Sequence, residues 1–411
     1  MIESTGRSTI DLAGLQLQLK PAAVVSVSQP GETRWGRWQF PAISRLPDGR
    51  LLTTINDTGD ADTEYGLPGP AFVSNDGGAT WSAFTPDESM LAISHSVISE
   101  VNDGERLIVP MSPSPRVDPD ALPPVVHEAQ AYGVVRYYDL NGFSPALQAA
   151  AASLPASRWT PATQTWTREE VSLDMAQGMV RLRPGEMVMP RAYIDNRIVN
   201  WDGRLYYPDY HALHRLPYGS PPKHLVCWCL TSDDNGRSWG RRGLIAADGT
   251  GNLLMGEPTL SMTTRGDLAC VIRTLDHRVG PLLITYSSDR GRTWTSPTKL
   301  FDYGVMPQSL LLDCGVMILV SGRPGVFLMC SPDGCAREWT APISLVPAVS
   351  RATVPADSST SAEPPATSCG YTRVLATGPN RFLVVYSVFD HHNADGMQSK
   401  AVMVREITVD S

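Results

Sequence analysis

No stretch of this 411-residue chain approaches the roughly 18 consecutive apolar residues of a membrane-spanning helix. The opening residues, Met1-Ile2-Glu3-Ser4-Thr5-Gly6-Arg7, lack the basic segment and apolar core of a secretory signal. Read as written, the chain is expected in the cytoplasm, or in an extracellular or periplasmic setting if the native chain starts further upstream. Lysine is scarce and no basic run occurs. With 34 Lys and Arg against 42 Asp and Glu, the net charge is -8, which argues against a nucleic-acid surface, since that needs clustered cations to displace counterions. A few arginines converging in one cleft can still bind an acidic ligand. The 7 cysteines are an odd, scattered set. Cys227 and Cys229 lie too close together for a zinc C-x-x-C pair, so unpaired thiols are expected and no metal or cofactor is implied.

What the chain does contain is turns. Its 34 Gly and 34 Pro are dispersed, so they mark many loops rather than a low-complexity tail. One turn sequence repeats: Ser74-Asn75-Asp76-Gly77-Gly78-Ala79-Thr80-Trp81, Ser232-Asp233-Asp234-Asn235-Gly236-Arg237-Ser238-Trp239 and Ser287-Ser288-Asp289-Arg290-Gly291-Arg292-Thr293-Trp294. A looser copy, Ser331 to Trp339, carries one extra residue. Each follows a β-rich run and precedes another. In such a hairpin turn Asp can accept backbone N–H bonds, Gly can supply a positive φ, and Trp can fold back on apolar surface. These are scaffold roles.

A second series interleaves with the first, at Pro47-Asp48-Gly49-Arg50, Asn102-Asp103-Gly104, Asp202-Gly203-Arg204, Arg265-Gly266-Asp267, Asp313-Cys314-Gly315 and Gly378-Pro379-Asn380. Two hairpins per unit, repeated along the chain, describe four-stranded antiparallel blades around an axis. The long interval from Trp81 to Ser232 has room for two further blades, with Arg158 to Trp166 as an eroded copy of the box. The expectation is an all-β, six-bladed β-propeller, with a seventh blade allowed, forming a single domain over residues 1–411. A short N-terminal extension to about residue 30 and an inserted loop near 354–368 complete it. Pro145 to Pro155 has the composition of a short helix, with Ser144 as N-cap.

The S-x-D-x-G-x-[ST]-W turn resembles the Asp box, or BNR repeat, of the sialidase superfamily, and the likeness extends from about Gln39 to Thr408. The resemblance implies a propeller. It also implies an exo-acting glycoside hydrolase releasing a terminal acidic sugar, sialic acid being the best single identity, by a retaining mechanism with a Tyr nucleophile. A neutral Tyr avoids the repulsion that a carboxylate nucleophile would meet from the sugar's own carboxylate.

The residues follow one by one from that resemblance. Glu257, in Gly256-Glu257-Pro258, stands where the family has the Glu that takes the Tyr proton. Tyr371, in Cys369-Gly370-Tyr371, stands where the nucleophile enters. Arg273, closing the apolar run Ala269-Cys270-Val271-Ile272, and Arg323, in Ser321-Gly322-Arg323-Pro324, match carboxylate-clamp positions. The loop from Ile55 to Tyr65 carries Asp57, Asp60, Asp62 and Glu64; spacing favours Asp60 or Asp62 as acid/base without choosing between them, and a calcium site is the competing use of such oxygens. Family members begin the first blade with an Arg two residues before a Pro, whereas this chain has Gln39 before Pro41, with Arg34, Arg37 or Arg45 as substitutes.

A competing cluster runs from Tyr206 to Arg215 and includes Tyr207 and His211. In a uronate lyase, Tyr or His would take the proton α to a carboxylate that Arg neutralises. The alternatives to a hydrolase are therefore a polysaccharide lyase and a non-catalytic glycan-binding propeller. The partner in every case is a glycan bearing a carboxylate.

Overall fold

The computed structural model describes all residues except 1, 4–7, 13, 62–63, 92–94, 131–133, 218, 220–221, 223, 251–252, 275–279, 348–366, 394 and 411. Strands dominate, at 50% against 5% helix, and nearly every sheet pairing is antiparallel between consecutive strands.

Two sheets are plain four-strand meanders: Arg37–Arg45, Leu51–Asp57, Ala71–Ser74 and Ser82–Phe84; and Met255–Met262, Leu268–Thr274, Leu282–Ser287 and Thr298–Phe301. A third meander, Val305–Leu311, Met317–Gly322, Val326–Ser331 and Ile343–Val346, gains Ile2–Glu3 as a parallel fifth strand. An eight-stranded sheet consists of two more such sets. Ser99–Glu100, Arg106–Ile108, Ser153–Thr160 and Thr165–Leu173 join Val199–Trp201, Arg204–Asp209, Cys227–Ser232 and Ser238–Ala246 through a short parallel pairing of Ser172 and Leu173 with Ser238 and Trp239. The last sheet unites the two ends of the chain. Thr372–Gly378, Arg381–His392 and Gln398–Asp410 are completed by Leu15–Leu19, with Leu17 opposite Val409.

The core lies between sheets rather than at one centre. Leu205 and Tyr207 pack with Leu107 and Val171, Cys227 with Leu268 and Cys270, Val271 with Leu319 and Phe327, Leu328 with Phe382, Val385 with Ile43 and Leu51, and Leu52 with Ile108. Each sheet thus buries one face against the preceding set and the other against the next, which explains strands that are apolar on both sides. Burying such side chains contributes about 1.5–3 kcal/mol each.

The box turns fold as their composition requires. Asp289 Oδ1 accepts from the backbone N–H of Thr293 at 2.9 Å and from Ser287 Oγ at 2.9 Å, while Oδ2 accepts from Thr293 Oγ1 at 2.6 Å. The indole N–H of each box Trp donates to the carbonyl three residues back: Trp81 to Gly78 at 3.1 Å, Trp239 to Gly236 at 3.2 Å and Trp294 to Gly291 at 3.3 Å. The looser fourth copy closes the same way, Trp339 donating to Ala336 at 3.1 Å. These bonds hold the Asp76 and Asp289 carboxyls down at about 2.

Two inserted pieces matter for function. Val125–Gln130, Val134–Asp139 and Met179–Leu182 form a separate three-stranded sheet. The helix spans Pro145–Ala152, with Ser144 Oγ accepting from the N–H of Leu147, and stops short of the expected Pro155 because the chain passes at once into strand Ser153–Thr160. No helix among the described residues is long and apolar enough to cross a membrane. Of the segment expected as an exposed loop near 354–368, residues 354–366 lie outside the described residues.

Candidate active site

A cavity of about 480 Å³ collects side chains from several sheets and from the inserted one. Its geometry begins with a repeated backbone device. At the start of three first strands the ladder slips, between Gln39 and Ala42, between Gly256 and Thr259, and between Val305 and Gln308. At each slip a residue followed by proline takes a positive φ: Phe40 at 49°, Glu257 at 44° and Met306 at 40°. Such a conformation is strained for a residue with a side chain. Its effect here is to aim one side chain per sheet into the cavity, which Phe40, Glu257 and Met306 all line.

Glu257 is the hub. Its Oε1 accepts hydrogen bonds from both the Tyr371 hydroxyl and Arg273 Nη1, and its Oε2 accepts from the Met306 backbone N–H at 2.7 Å. Arg273 Nη1 also donates to the Tyr371 oxygen at 3.1 Å. Glu257, Arg273 and Tyr371 therefore meet, though they are distant in sequence, and all three line the cavity. A phenol that donates to a carboxylate and accepts from a guanidinium has an immediate acceptor for its proton and a cation to offset the charge left behind. The ring is held from the sides by Phe40, with centroids 4.7 Å apart, and the Arg323 guanidinium lies 5.4 Å from its centroid.

Asp60 lines the same cavity, its carboxylate accepting from Trp35 Nε1 at 2.8 Å and Tyr65 Oη at 2.6 Å. Asp62 lies outside the described residues. Arg323 is near the cluster but does not line the cavity: its Nε donates to the Cys369 carbonyl at 3.1 Å and its guanidinium lies 5.2 Å from the Trp35 ring. Gln39 does not reach the cavity either. The strand slip buries it and turns Phe40 inward instead, so the position two residues before Pro41 has no access to ligand. Arg37 bonds the Asp57 carbonyl at 2.9 Å and is likewise absent from the lining. Of the expected clamp, only Arg273 faces the cavity.

The competing cluster divides. His211 lines the cavity between the rings of Tyr193 and Tyr210, at 4.2 and 3.8 Å. Tyr207 is buried outside it, donating to Asp195 Oδ1 at 2.7 Å. That bond exposes a residue the sequence reading missed. Asp195 lines the cavity, is 3% exposed, and has its carboxyl pushed up by burial. It closes the apolar run Ala192-Tyr193-Ile194, the same pattern that singled out Arg273. His95, also in the lining, stacks on Phe40 at 4.9 Å and is pushed down to about 4 by burial and then by the Arg373 charge. Among the described residues no group of His, Cys, Asp and Glu is placed to hold a metal ion.

A family model described as a BNR repeat-like domain matches residues 149–351. No curated protein matches significantly. Among solved structures, a protein of unknown function from Dyadobacter fermentans superposes with a TM-score of 0.60 at 17% identity, covering 95% of this chain and 99% of that one. The Penicillium chrysogenum alpha-L-arabinanase complexed with arabinobiose gives 0.53 at 16% identity, over 94% and 98%. A Hadza microbial sialidase gives 0.50 at 12% identity, over 93% of this chain and 68% of its own. Residues 149–351 thus match a BNR repeat-like domain, and the superpositions show that the chain shares its overall fold with these structures.

Proposed function

We propose that this protein is an exo-acting, retaining glycoside hydrolase built on a single propeller of six four-stranded blades, which takes a terminal acidic sugar, sialic acid first among them. The observation that carries the reading is the contact of Tyr371, Glu257 and Arg273 in one cavity. The six core clusters that link successive sheets support the blade count.

In the first step the Tyr371 oxygen attacks the anomeric carbon, its proton passing to Glu257, while the glycosidic C–O bond breaks. A carboxyl group gives the departing oxygen a proton. Asp60 fills that role by its place in the lining; Asp195, which burial favours in the protonated form, is the second candidate. Water then attacks the same carbon from the side the leaving group vacated. It gives a proton to that carboxylate, and Tyr371 departs with the proton held by Glu257. Two displacements at one carbon retain its configuration.

A lyase would draw its base from Tyr210 or His211, the members of the competing cluster that line the cavity, because Tyr207 does not. The test is a panel of sialosides, uronides and arabino-oligosaccharides, with released sugar followed by reducing-end assay, anomer by NMR, and unsaturated uronate by ultraviolet absorbance. Release of the terminal sugar as the retained anomer supports the proposal; absorbance growth replaces it with elimination, and saturable binding without product leaves a glycan-binding propeller.

A further inference from the structure

The arginines of the cavity are divided by position. Arg273 pairs with Glu257, and Arg183 is 3.7 Å from Glu186. Arg181 and Arg191 also line the cavity, and no carboxylate among the described residues forms an ion pair with either. Arg181 belongs to the inserted sheet, on Met179–Leu182 opposite Tyr137. Arg191 follows shortly after. Its Nη2 donates to the Ser153 carbonyl at 2.5 Å, and its buried Nε has no partner among the described residues. The cavity's remaining acids, Asp60 and Asp195, are served by Trp35, Tyr65 and Tyr207 instead of by arginine.

Both arginines are half-buried, Arg191 with one buried guanidinium nitrogen unanswered among the described residues, and a neutral ligand would leave their donors unused. An anion with several oxygens would satisfy the planar fork. We propose that Arg181 and Arg191 form an anion subsite, distinct from Arg273, that recognises a carboxylate or sulfate on the bound oligosaccharide. On this view the missing clamp at Gln39 is offset from the inserted sheet. Anion recognition moves to a wall facing the sugar chain, and the preferred substrate is an acidic oligosaccharide. The inference rests on the cavity being the glycan site proposed above.

The probes are sialyllactose, a glucuronate-terminated oligosaccharide, a sulfated oligosaccharide and neutral arabino-oligosaccharides. Binding is measured by calorimetry on Tyr371→Phe protein, and turnover on the otherwise unaltered enzyme. Arg181→Gln and Arg191→Lys are the variants, with thermal unfolding as a control and Arg191→Gln as the stronger change where it folds. Each variant is expected to weaken the acidic ligand by roughly 10- to 100-fold, the loss of one charge-assisted contact, with neutral ligands unmoved; Arg191→Lys should retain part. The carboxylate and sulfate arms identify which anion is read. Equal binding of acidic ligands by parent and variants overturns the subsite, as does cleavage of neutral sugars with no acidic preference, and in that second case the hydrolase reading survives. Arginine-dependent binding of an acidic oligosaccharide that is never cleaved leaves the subsite standing and removes the hydrolase.

Discussion

Two features recur from sheet to sheet, and they are conserved within the chain in opposite ways. The box turns keep their side chains and repeat one network: Ser74, Ser232 and Ser287 each accept the N–H of the box glycine at 2.8 Å. The strand slips keep their backbone and change their side chain, giving Phe40, Glu257 and Met306. The shared Ser, Asp, Gly and hydroxyl network of the turn closes within a few residues, and only the variable positions reach further, Asn235 to Asn102 and Glu105 and Arg290 to Asp202. The slip opens outward, to partners far along the chain. Repetition of residues therefore marks scaffold here, and repetition of conformation with variation of residue marks the site.

The largest expected effect tests the open side. Tyr371→Phe removes the proposed nucleophile while keeping the ring against Phe40, so kcat should fall at least about 10³-fold with ligand affinity largely retained. Turnover and calorimetric titration on one preparation decide it, and an unchanged kcat would remove Tyr371 from the chemistry. Glu257→Ala should be felt in stability as well as in turnover. It removes the Glu257 carboxylate that accepts from buried Arg273, from the Tyr371 hydroxyl and from the Met306 N–H, at a cost of about 3–5 kcal/mol by urea unfolding. A loss below about 1 kcal/mol would mean that the pair is not held as described.

This contrast also explains what could be read in advance. The box turns, the interleaved hairpins and the all-β class were legible because the same residues return at similar intervals. Glu257, Arg273 and Tyr371 were named one at a time through the resemblance to the sialidase superfamily, and the structure brings the three into one cavity. Gln39 was misplaced because a ladder slip changes which side chain faces inward, and the sequence shows only the proline after it. Asp195, Arg181 and Arg191 were missed for a different reason. They lie in or beside the inserted sheet, which has no second copy to compare with, and their meaning depends on which cavity they face.

A pH scan sharpens the comparison at intermediate size. His95 titrates from an ordinary value near 6.5 when unfolded to about 4 in the fold, so the fold favours its neutral form. Its contribution is fully present above the unfolded value and is lost as pH falls from about 6.5 toward 4. Stability should fall across that window, and His95→Gln should flatten that part of the curve. Asp76 and Asp289 run on a lower window: their contributions hold above about 4 and fade toward 2. The cleft should therefore loosen at a higher pH than the box turns, and coincident transitions would contradict the separation.

The smallest effect comes from breaking one turn. Asp289→Ala removes the acceptor for the Thr293 backbone N–H, the Thr293 hydroxyl and the Ser287 hydroxyl. The Thr293 groups are exposed and can turn to water, while the buried Ser287 hydroxyl loses its acceptor, so the loss should stay at about 1–2 kcal/mol. Asp289 lies in the turn after strand Leu282–Ser287, and neither it nor its partners line the cavity. The kcat and KM of this variant should therefore match the parent at temperatures where both are folded. Urea midpoints and steady-state kinetics measured side by side provide the check. A change in kcat without a matching change in unfolding midpoint would show that the box turn is coupled to the cleft, and the division between closed scaffold and open site would have to be redrawn around that turn.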